Sequence, residues 1–453
     1  MDSTNAIASA ASVETRAQAL FTAIEAEDFR AARALIDVDT ARQVNDEGTT
    51  ALMFAANAGN AELVKTLLPL SDAEAQDEIG ATALMWAARH NFAECVSLLL
   101  PASDARAEDQ NGDTALMWAV ENLEHVSGLE SVRLLSGRGA ALIANGEGET
   151  PLMLAARRGD VECVKELLPV SDLAAQDLES EMTALHWAAH AGRLQWGGYY
   201  RGSATGLDER QAQVIELLAP KSDLAARTLC GKTPLLIAAE RGSASAIAAL
   251  IERSDLAAAD HSGRTALHYA AEADPALPTV CLRAIIAGSN PAACTRDGET
   301  ALMLAARRGN AAALAELLPL SDPTALNGHG RTALGEAIRE QNSKCADLLA
   351  PVSAPKEAAK ALKKFGAEEM PRFMQFKEAK VIEKAAAQGA KTAQRAEAAA
   401  LKAATKKGVA KDSTTVGADA TVGAGARQTQ ANAGPTQAPG APAPPPQRRA
   451  MRL

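Results

Sequence analysis

His186 and His190 stand four residues apart, a spacing that places two imidazoles on one helix face and suits a pair of metal ligands. No acidic residue lies between them and no metal-ligand cluster occurs elsewhere, so neither a metal nor a cofactor is assigned. A cysteine-dependent activity would have to use Cys230 or Cys294, the two cysteines at loop positions. The chain shows no Ser-His-Asp order, Walker motif or glycine-rich nucleotide fingerprint, and a non-enzymatic role is expected. Recognition chemistry is better represented. Between Arg193 and Glu209 runs R-L-Q-W-G-G-Y-Y-R-G-S-A-T-G-L-D-E, with Trp196, Tyr199, Tyr200 and Arg201. Aromatics make up only 3% of the chain, so their concentration here is unusual. Such side chains dominate binding energy when desolvated. The same loop would equally serve by folding its aromatics onto its own protein.

These residues hang on a repeated element. A tetrad T-A-L-M or a close relative begins at Thr50, Thr82, Thr114, Thr150, Thr183, Thr233, Thr265, Thr300 and Thr332, in steps of 32, 32, 36, 33, 50, 32, 35 and 32 residues. A period in this range marks a stacked array in which no unit buries its apolar face alone. In Gly148–Val170, Gly148 suits a turn, Thr150 an N-cap and Pro151 the first helical position. Leu152, Ala155 and Ala156 lie on one face of that helix, and Gly159 stops it. A second helix follows from about Val161 to Leu168, ended by Pro169.

This order resembles the ankyrin repeat, most closely at Gly231–Ala239 (G-K-T-P-L-L-I-A-A) and Thr265–Ala271 (T-A-L-H-Y-A-A). The resemblance implies an all-α solenoid of stacked helix pairs with β-hairpin-like fingers between them, and protein binding on a concave face. It covers residues 13–352, with an insertion near 193–209, and leaves 1–12 as a disordered N-terminus. It also implies that His186 and His268 make a hydrogen bond that fixes the helix start. Where the family has Gly-Ala-Asp after the second helix, this chain has P-x-S-D, as at Pro69–Asp72 and Pro319–Asp322, so a different finger shape is expected. Ala17–Ile36 has the helix-pair pattern without the tetrad and reads as a cap. Cys95, Cys163 and Cys345 fall thirteen residues after their threonines, a phase that predicts packing of free thiols. Trp86, Trp118 and Trp187, four after theirs, are predicted to pack in the core.

Charge divides the chain. Up to Ser353 there are 28 basic and 48 acidic residues, and from Ala354 onward 18 basic and 8 acidic. Early fingers carry Asp46, Glu47, Asp77, Glu78, Asp109, Glu149 and Asp177, whereas later ones carry Arg227, Lys232, Arg264, Arg296 and Arg331. An acidic stripe on a concave face would steer a basic partner. Residues 353–411 read as a basic Ala/Lys-rich helical segment, and the cluster Phe365, Met370, Phe373, Met374 and Phe376 is expected to cover the last repeat. Residues 412–453, rich in Pro, Gly and Ala, read as disordered. The basic segment lacks interleaved aromatics, which argues against nucleic acid. No secretory signal or 18-residue apolar run opens or interrupts the chain, so a cytoplasmic, monomeric protein without a membrane span is expected. The expected role is an adaptor holding a protein partner, through the fingers and the aromatic insertion. The alternative is a regulator whose basic tail binds nucleic acid or an acidic partner and is masked by the acidic array.

Overall fold

The computed structural model describes residues 2–122, 129–190, 204–273, 279–366 and 368–381, with isolated helical positions up to 395. The chain divides into two units, Met1–Val381, which holds the array, and Ile382–Leu453. Each tetrad opens a short helix: Ala51–Asn57, Ala83–Arg89, Ala115–Glu121, Pro151–Arg158, Ala184–His190, Pro234–Arg241, Ala266–Glu272, Ala301–Arg308 and Ala333–Arg339. Seven of the tetrad threonines accept a hydrogen bond from the backbone N–H three residues on, as at Thr50 and Thr332. Loss of such a cap costs about 1 kcal/mol, so the recurring threonine is a local cause of helix at each site.

Each first helix is followed by a second, from Ala61–Leu67 in the first repeat to Ser343–Leu349 in the last. The first helices stack on one another through buried Leu and Ala, such as Leu52, Ala55 and Ala56 against Leu84, Ala87 and Ala88. Alanine at two consecutive turn-facing positions lets the backbones approach closely. Val64, Leu67 and their equivalents fill the layer between first and second helices. Cys95, Cys163 and Cys345 are fully buried there, and burial pushes the Cys95 and Cys345 thiols up to about 11.

Both edges of the stack are covered. At the start, Leu20, Phe21 and Ile24 are buried, and the Phe21 ring stacks on Phe54 at 5.3 Å. The helix that carries them runs Asp2–Glu25, through residues 1–12 where disorder was expected. Its opening sequence is rich in alanine, the best helix former, and simply extends the anchored turns. At the far end Pro355–Phe365 lays Ala358 and Ala361 on the last repeat, and Thr332 Oγ1 donates to Glu357 Oε2 at 2.8 Å. Met370 is fully buried, with Phe365 and Phe373 packed against the core. The Asp347 carboxylate accepts from the backbone N–H of Arg372 (3.3 Å) and Phe373 (2.9 Å), which caps helical residues 371–381. The expected cover for the last repeat is therefore present. The rest of the tail assigned to helix and disorder lies outside the described residues.

The insertion is only partly described. Helix Ala204–Leu218 begins inside the stretch 193–209 that the sequence assigns to loop, and residues 191–203 lie outside the described residues. Among the described residues no helix is long and apolar enough to cross a membrane.

In six repeats the turn after the first helix takes a left-handed residue, Gly59, Gly159, Gly242 and Gly309 in four of them and Asn91 in a fifth. Exposed Gln341 takes the same conformation at φ 63° without being glycine. A non-glycine residue there costs roughly 1–2 kcal/mol. Gln341→Gly is expected to raise stability by about 1 kcal/mol, read as a higher urea midpoint at unchanged slope.

The finger-side face as candidate interaction surface

The fingers are hairpins closed by side chains. Their edges meet in antiparallel bridges such as Val44 with Thr50 and Glu108 with Thr114, so the P-x-S-D departure leaves the hairpin-like form intact. The Asp of that motif instead starts the linker, as where Asp104 Oδ1 accepts from Arg106 N–H at 2.9 Å. Five residues before each tetrad threonine (six in the fifth repeat) stands Asn45, Asp77, Asp109, Asn145, Asp177, Thr228, Asp260, Thr295 or Asn327. Asp109 shows what it does. Its Oδ1 accepts from the backbone N–H of Asn111 (2.8 Å) and Asp113 (2.9 Å), closing the turn. Gly112 completes it at φ 79°, where an added Cβ would meet Gly146 N at 2.6 Å. That closeness is used: Asn111 O accepts from Gly146 N–H at 2.8 Å. One backbone hydrogen bond of this kind joins each finger to the next, from Glu47 O with Glu78 N–H (2.9 Å) to Asp297 O with Gly328 N–H (2.7 Å).

An aspartate in the turn has a second oxygen to satisfy. Asp77 Oδ2 accepts from Trp86 Nε1–H (2.9 Å), Asp109 from Trp118 (3.0 Å), Asp177 from Trp187 (2.9 Å), and Asp260 from the Tyr269 hydroxyl (2.6 Å). Where the turn residue is Asn or Thr, the partner position holds Phe54, Leu154, Ile237 or Leu304, none with a donor. The ninth repeat inverts the polarity, Asn327 Nδ2–H donating to Glu336 Oε1 at 3.0 Å. The aromatic with a donor thus occurs wherever the turn carries a carboxylate. The three tryptophans, expected as core packing, do rest on the core, but they remain half-exposed and belong equally to the fingers. Trp86 and Trp118 meet edge to face at 5.5 Å, with the Arg89 guanidinium 5.3 and 5.6 Å from their centroids. Arg157 lies 5.3 Å over Trp187.

Charged pairs run along the same face in four repeats, between the residue before the tetrad threonine and the one seven after it. Glu149 and Arg157 are 2.6 Å apart, and Lys232–Glu240, Arg264–Glu272 and Glu299–Arg307 each 2.7 Å. Arg307 (3.2 Å) and Arg308 (3.1 Å) also reach Glu272. Burial would raise the Glu272 carboxyl, yet these three arginines hold it below the usual range. Around Arg157 the balance is reversed. Burial foremost pushes Asp113, Glu121 and Glu149 upward, and neighbouring carboxylates add to it.

The proposed partner-binding residues divide. Asp77, Asp109 and Asp177 are committed to the turns and aromatics, and buried Glu149 to Arg157, so these four are structural in the first instance. A carboxylate already saturated by backbone N–H and indole has little left for a partner. Asp46, Glu47 and Glu78 are exposed at finger tips. Trp196, Tyr199, Tyr200 and Arg201 lie outside the described residues. Sequence reasoning missed Arg89 and the exposed part of Trp86 and Trp118. The matching of Asp with Trp nine residues on was the available signal.

The histidines are structural. Thr183 N–H donates to His186 Nδ1 (3.1 Å), leaving Nε2–H for Ala226 O (3.1 Å) and Lys232 O (3.2 Å) of the next repeat. His268 repeats this with Ala293 O and Glu299 O. The expected hydrogen bond at the helix start is present, and both His186 nitrogens are taken. His190 instead meets Arg241 and the Trp187 ring. Among the described residues no group of three or more His, Cys, Asp or Glu could hold a metal ion.

Two measurements check these assignments. Trp118→Leu strands one Asp109 oxygen, and Asp109→Asn sets an amide donor against the indole N–H. Each is expected to cost about 1–3 kcal/mol in urea unfolding, and the double variant distinctly less than the sum, since it recreates the Asn145/Leu154 combination. Burial lowers His186 to about 4, below its unfolded value near 6.5. The unfolded chain then binds more protons in that interval, so stability present above pH 6.5 falls as pH drops toward 4, by up to ~3 kcal/mol for this residue. His186→Met, the residue at the equivalent position of five other repeats, is expected to flatten that limb of the stability–pH curve, whatever it does to stability at pH 7.

A sequence profile of ankyrin repeats in three copies matches residues 5–77, 52–142, 127–196, 207–280 and 276–359. Among curated proteins none matches the chain. Among solved structures, the crystal structure of the ankyrin repeat domain of Bcl-3, "a unique member of the IkappaB protein family", is 24% identical, over 48% of this chain and 92% of that one, with a TM-score of 0.39. The profile spans well over half of the sequence, and its repeats coincide with the capped helix pairs and laddered fingers: the chain belongs to the ankyrin-repeat family.

Proposed function

We propose that the array is a non-enzymatic scaffold that holds a protein partner on the face shared by its fingers and first helices. Ankyrin repeats are generally protein-interaction modules, and that supports the role in outline. The observation that carries the choice of face is the Trp86–Trp118 pair with Arg89 across both rings. Large half-buried aromatics with a guanidinium between them are the side chains that dominate protein interfaces. The fingers behind them are tied into one ladder, so little ordering is needed on binding. Trp196, Tyr199, Tyr200 and Arg201 are proposed as a second contact from the insertion. The regulator reading depends on tail residues outside those described, and no observation here favours it.

Site-specific photocrosslinking tests the choice of face. A benzophenone side chain is placed in turn at Arg89, at Tyr199 and at Glu94, an exposed residue of the second-helix layer Ala93–Leu99. In native lysate, discrete adducts are expected at Arg89 and Tyr199 and none at Glu94. Adducts at Glu94 alone would refute the assignment.

A further inference from the structure

The charge pairing across the tetrad helices fails in the third repeat. The positions before and seven after Thr114 are Asp113 and Glu121, both acidic. Four other repeats place opposite charges at these positions, in contact at 2.6–2.7 Å. The ninth repeat has two arginines, Arg331 and Arg339, but sets the buried Glu336 3.4 Å from each. Among the described residues of the third repeat no cation is placed to do the same. Arg157 of the fourth repeat is bound tightly to Glu149 and is 3.6 Å from Glu121. Arg89 of the second repeat lies over the tryptophans. Arg157 is therefore shared among three carboxylates, with Arg158 adding its charge only at Glu121, beside the partly exposed ring of Trp118, three residues before Glu121 on the same helix face.

The chain itself shows what fills such a position. Arg157 sits against both the Glu149 carboxylate and the Trp187 ring, and Arg264 against both Glu272 and the Tyr269 ring at 5.6 Å. Carboxylate, aromatic and guanidinium form a unit, whereas in the third repeat Arg89 lies over the Trp118 ring and Arg157 reaches Glu121, and no single guanidinium joins the carboxylates to the ring.

We propose that the finger-side face of repeats two to four seats an extended segment of a partner protein that places a lysine or arginine between Asp113 and Glu121, its alkyl stem along Trp118. This rests on the scaffold reading and adds the chemistry of the partner. A guanidinium there would complete the carboxylate–aromatic unit found elsewhere in the array and relieve the repulsion between two carboxylates facing each other. Long-range attraction follows from the same excess of negative charge, since the array carries 48 acidic against 28 basic residues.

The test uses the full-length chain and nine-residue oriented peptide pools with the central residue fixed as Arg, Lys, Gln or Glu. Wild type is expected to retain the Arg and Lys pools about tenfold over the Gln pool, roughly 1.4 kcal/mol. Glu121→Arg sets a guanidinium opposite Asp113, the arrangement of Glu149 with Arg157, and is expected to raise the thermal midpoint while reducing the Arg and Lys pools to the Gln level. Glu121→Gln, nearly isosteric, is expected to reduce the preference without demanding a new pair. Glu94→Arg makes the same charge change on the second-helix layer and is expected to leave the preference intact, which separates a site from general attraction. Equal retention of all pools by wild type, or a preference that survives Glu121→Arg, overturns the proposal. If the preference is absent while Arg89 still crosslinks to a partner, the scaffold reading stands and only the basic segment falls. If neither is seen, both fall.

Discussion

A single acceptor organises the finger-side face of the array: the side-chain oxygen five residues (six in the fifth repeat) before each tetrad threonine. By taking two backbone N–H groups at once, as Asp77 does from Ile79 and Ala81, it closes the finger turn without a long strand pair. The closed turn presents one carbonyl and one N–H to its neighbours, and the ladder of finger-to-finger bonds follows. It also delivers the tetrad threonine in the extended conformation an N-cap requires, near φ −90° and ψ 165° at Thr82 and Thr114. Helix start, finger spacing and the position of the aromatic four residues later all descend from that one bonded oxygen.

The period, the caps and the terminal covers were legible because each is local. Threonine before an Ala-Leu pair, glycine at the stop and an apolar helix pair without a tetrad state their roles within a few residues. The Trp–Asp bonds were not legible in the same way. They join residues nine or ten apart across a turn, which is neither a helical nor a strand period, so hydrophobic patterning registers only the packing half of Trp86, Trp118 and Trp187. The acidic fingers misled for a related reason. Formal charge along the sequence does not distinguish a carboxylate saturated by backbone N–H groups, such as Asp109, from an exposed one such as Glu47. Counting partners makes that distinction, and it leaves the exposed tips Asp46, Glu47 and Glu78 together with Asp113 and Glu121 as the surplus of negative charge. The N-terminal helix was cut short in the sequence reading because an Ala/Ser-rich stretch without apolar periodicity gives no burial signal. Propensity and the anchored turns after it suffice.

The ninth repeat shows how the array stops. Gly335 takes the place of the Met, His or Leu that follows the tetrad leucine elsewhere, and Glu336 the place of an aromatic or aliphatic residue. A buried glutamate there would be costly alone, but Asn327 Nδ2–H, Arg331 and Arg339 surround it. The tetrad threonine, which caps its own helix, also donates to Glu357 in the covering helix. Asp347, on the second helix, turns its carboxylate outward to cap residues 371–381. The last repeat therefore directs onto the covering chain the polar groups that other repeats direct onto a following unit, and this ends the stack without exposing an apolar edge.

An exception carries information only where a rule has been established by geometry. Opposite charges across the tetrad helix meet at nearly one distance in four repeats, so the position is a defined site for an ion pair and not a chance encounter on a surface. Three repeats carry no charge pair at these positions (Thr49/Asn57, Ala81/Arg89 and Met182/His190), and the two that set like charges there differ in kind. Arg331 and Arg339 are reconciled within their own repeat by Glu336. Asp113 and Glu121 share Arg157, Arg158 adds its charge at Glu121, and Asp113 takes a further hydrogen bond from Asn145 Nδ2–H at 2.9 Å. Burial foremost, with neighbouring carboxylates adding to it, still holds both carboxyls above their usual range. A cation brought by another molecule would not undo the burial, but it would offset the part of the displacement that neighbouring carboxylates add, and that gain would appear as affinity. On the proposed reading, the same two carboxylates are a local cost to the isolated array and the source of its selectivity for a basic segment.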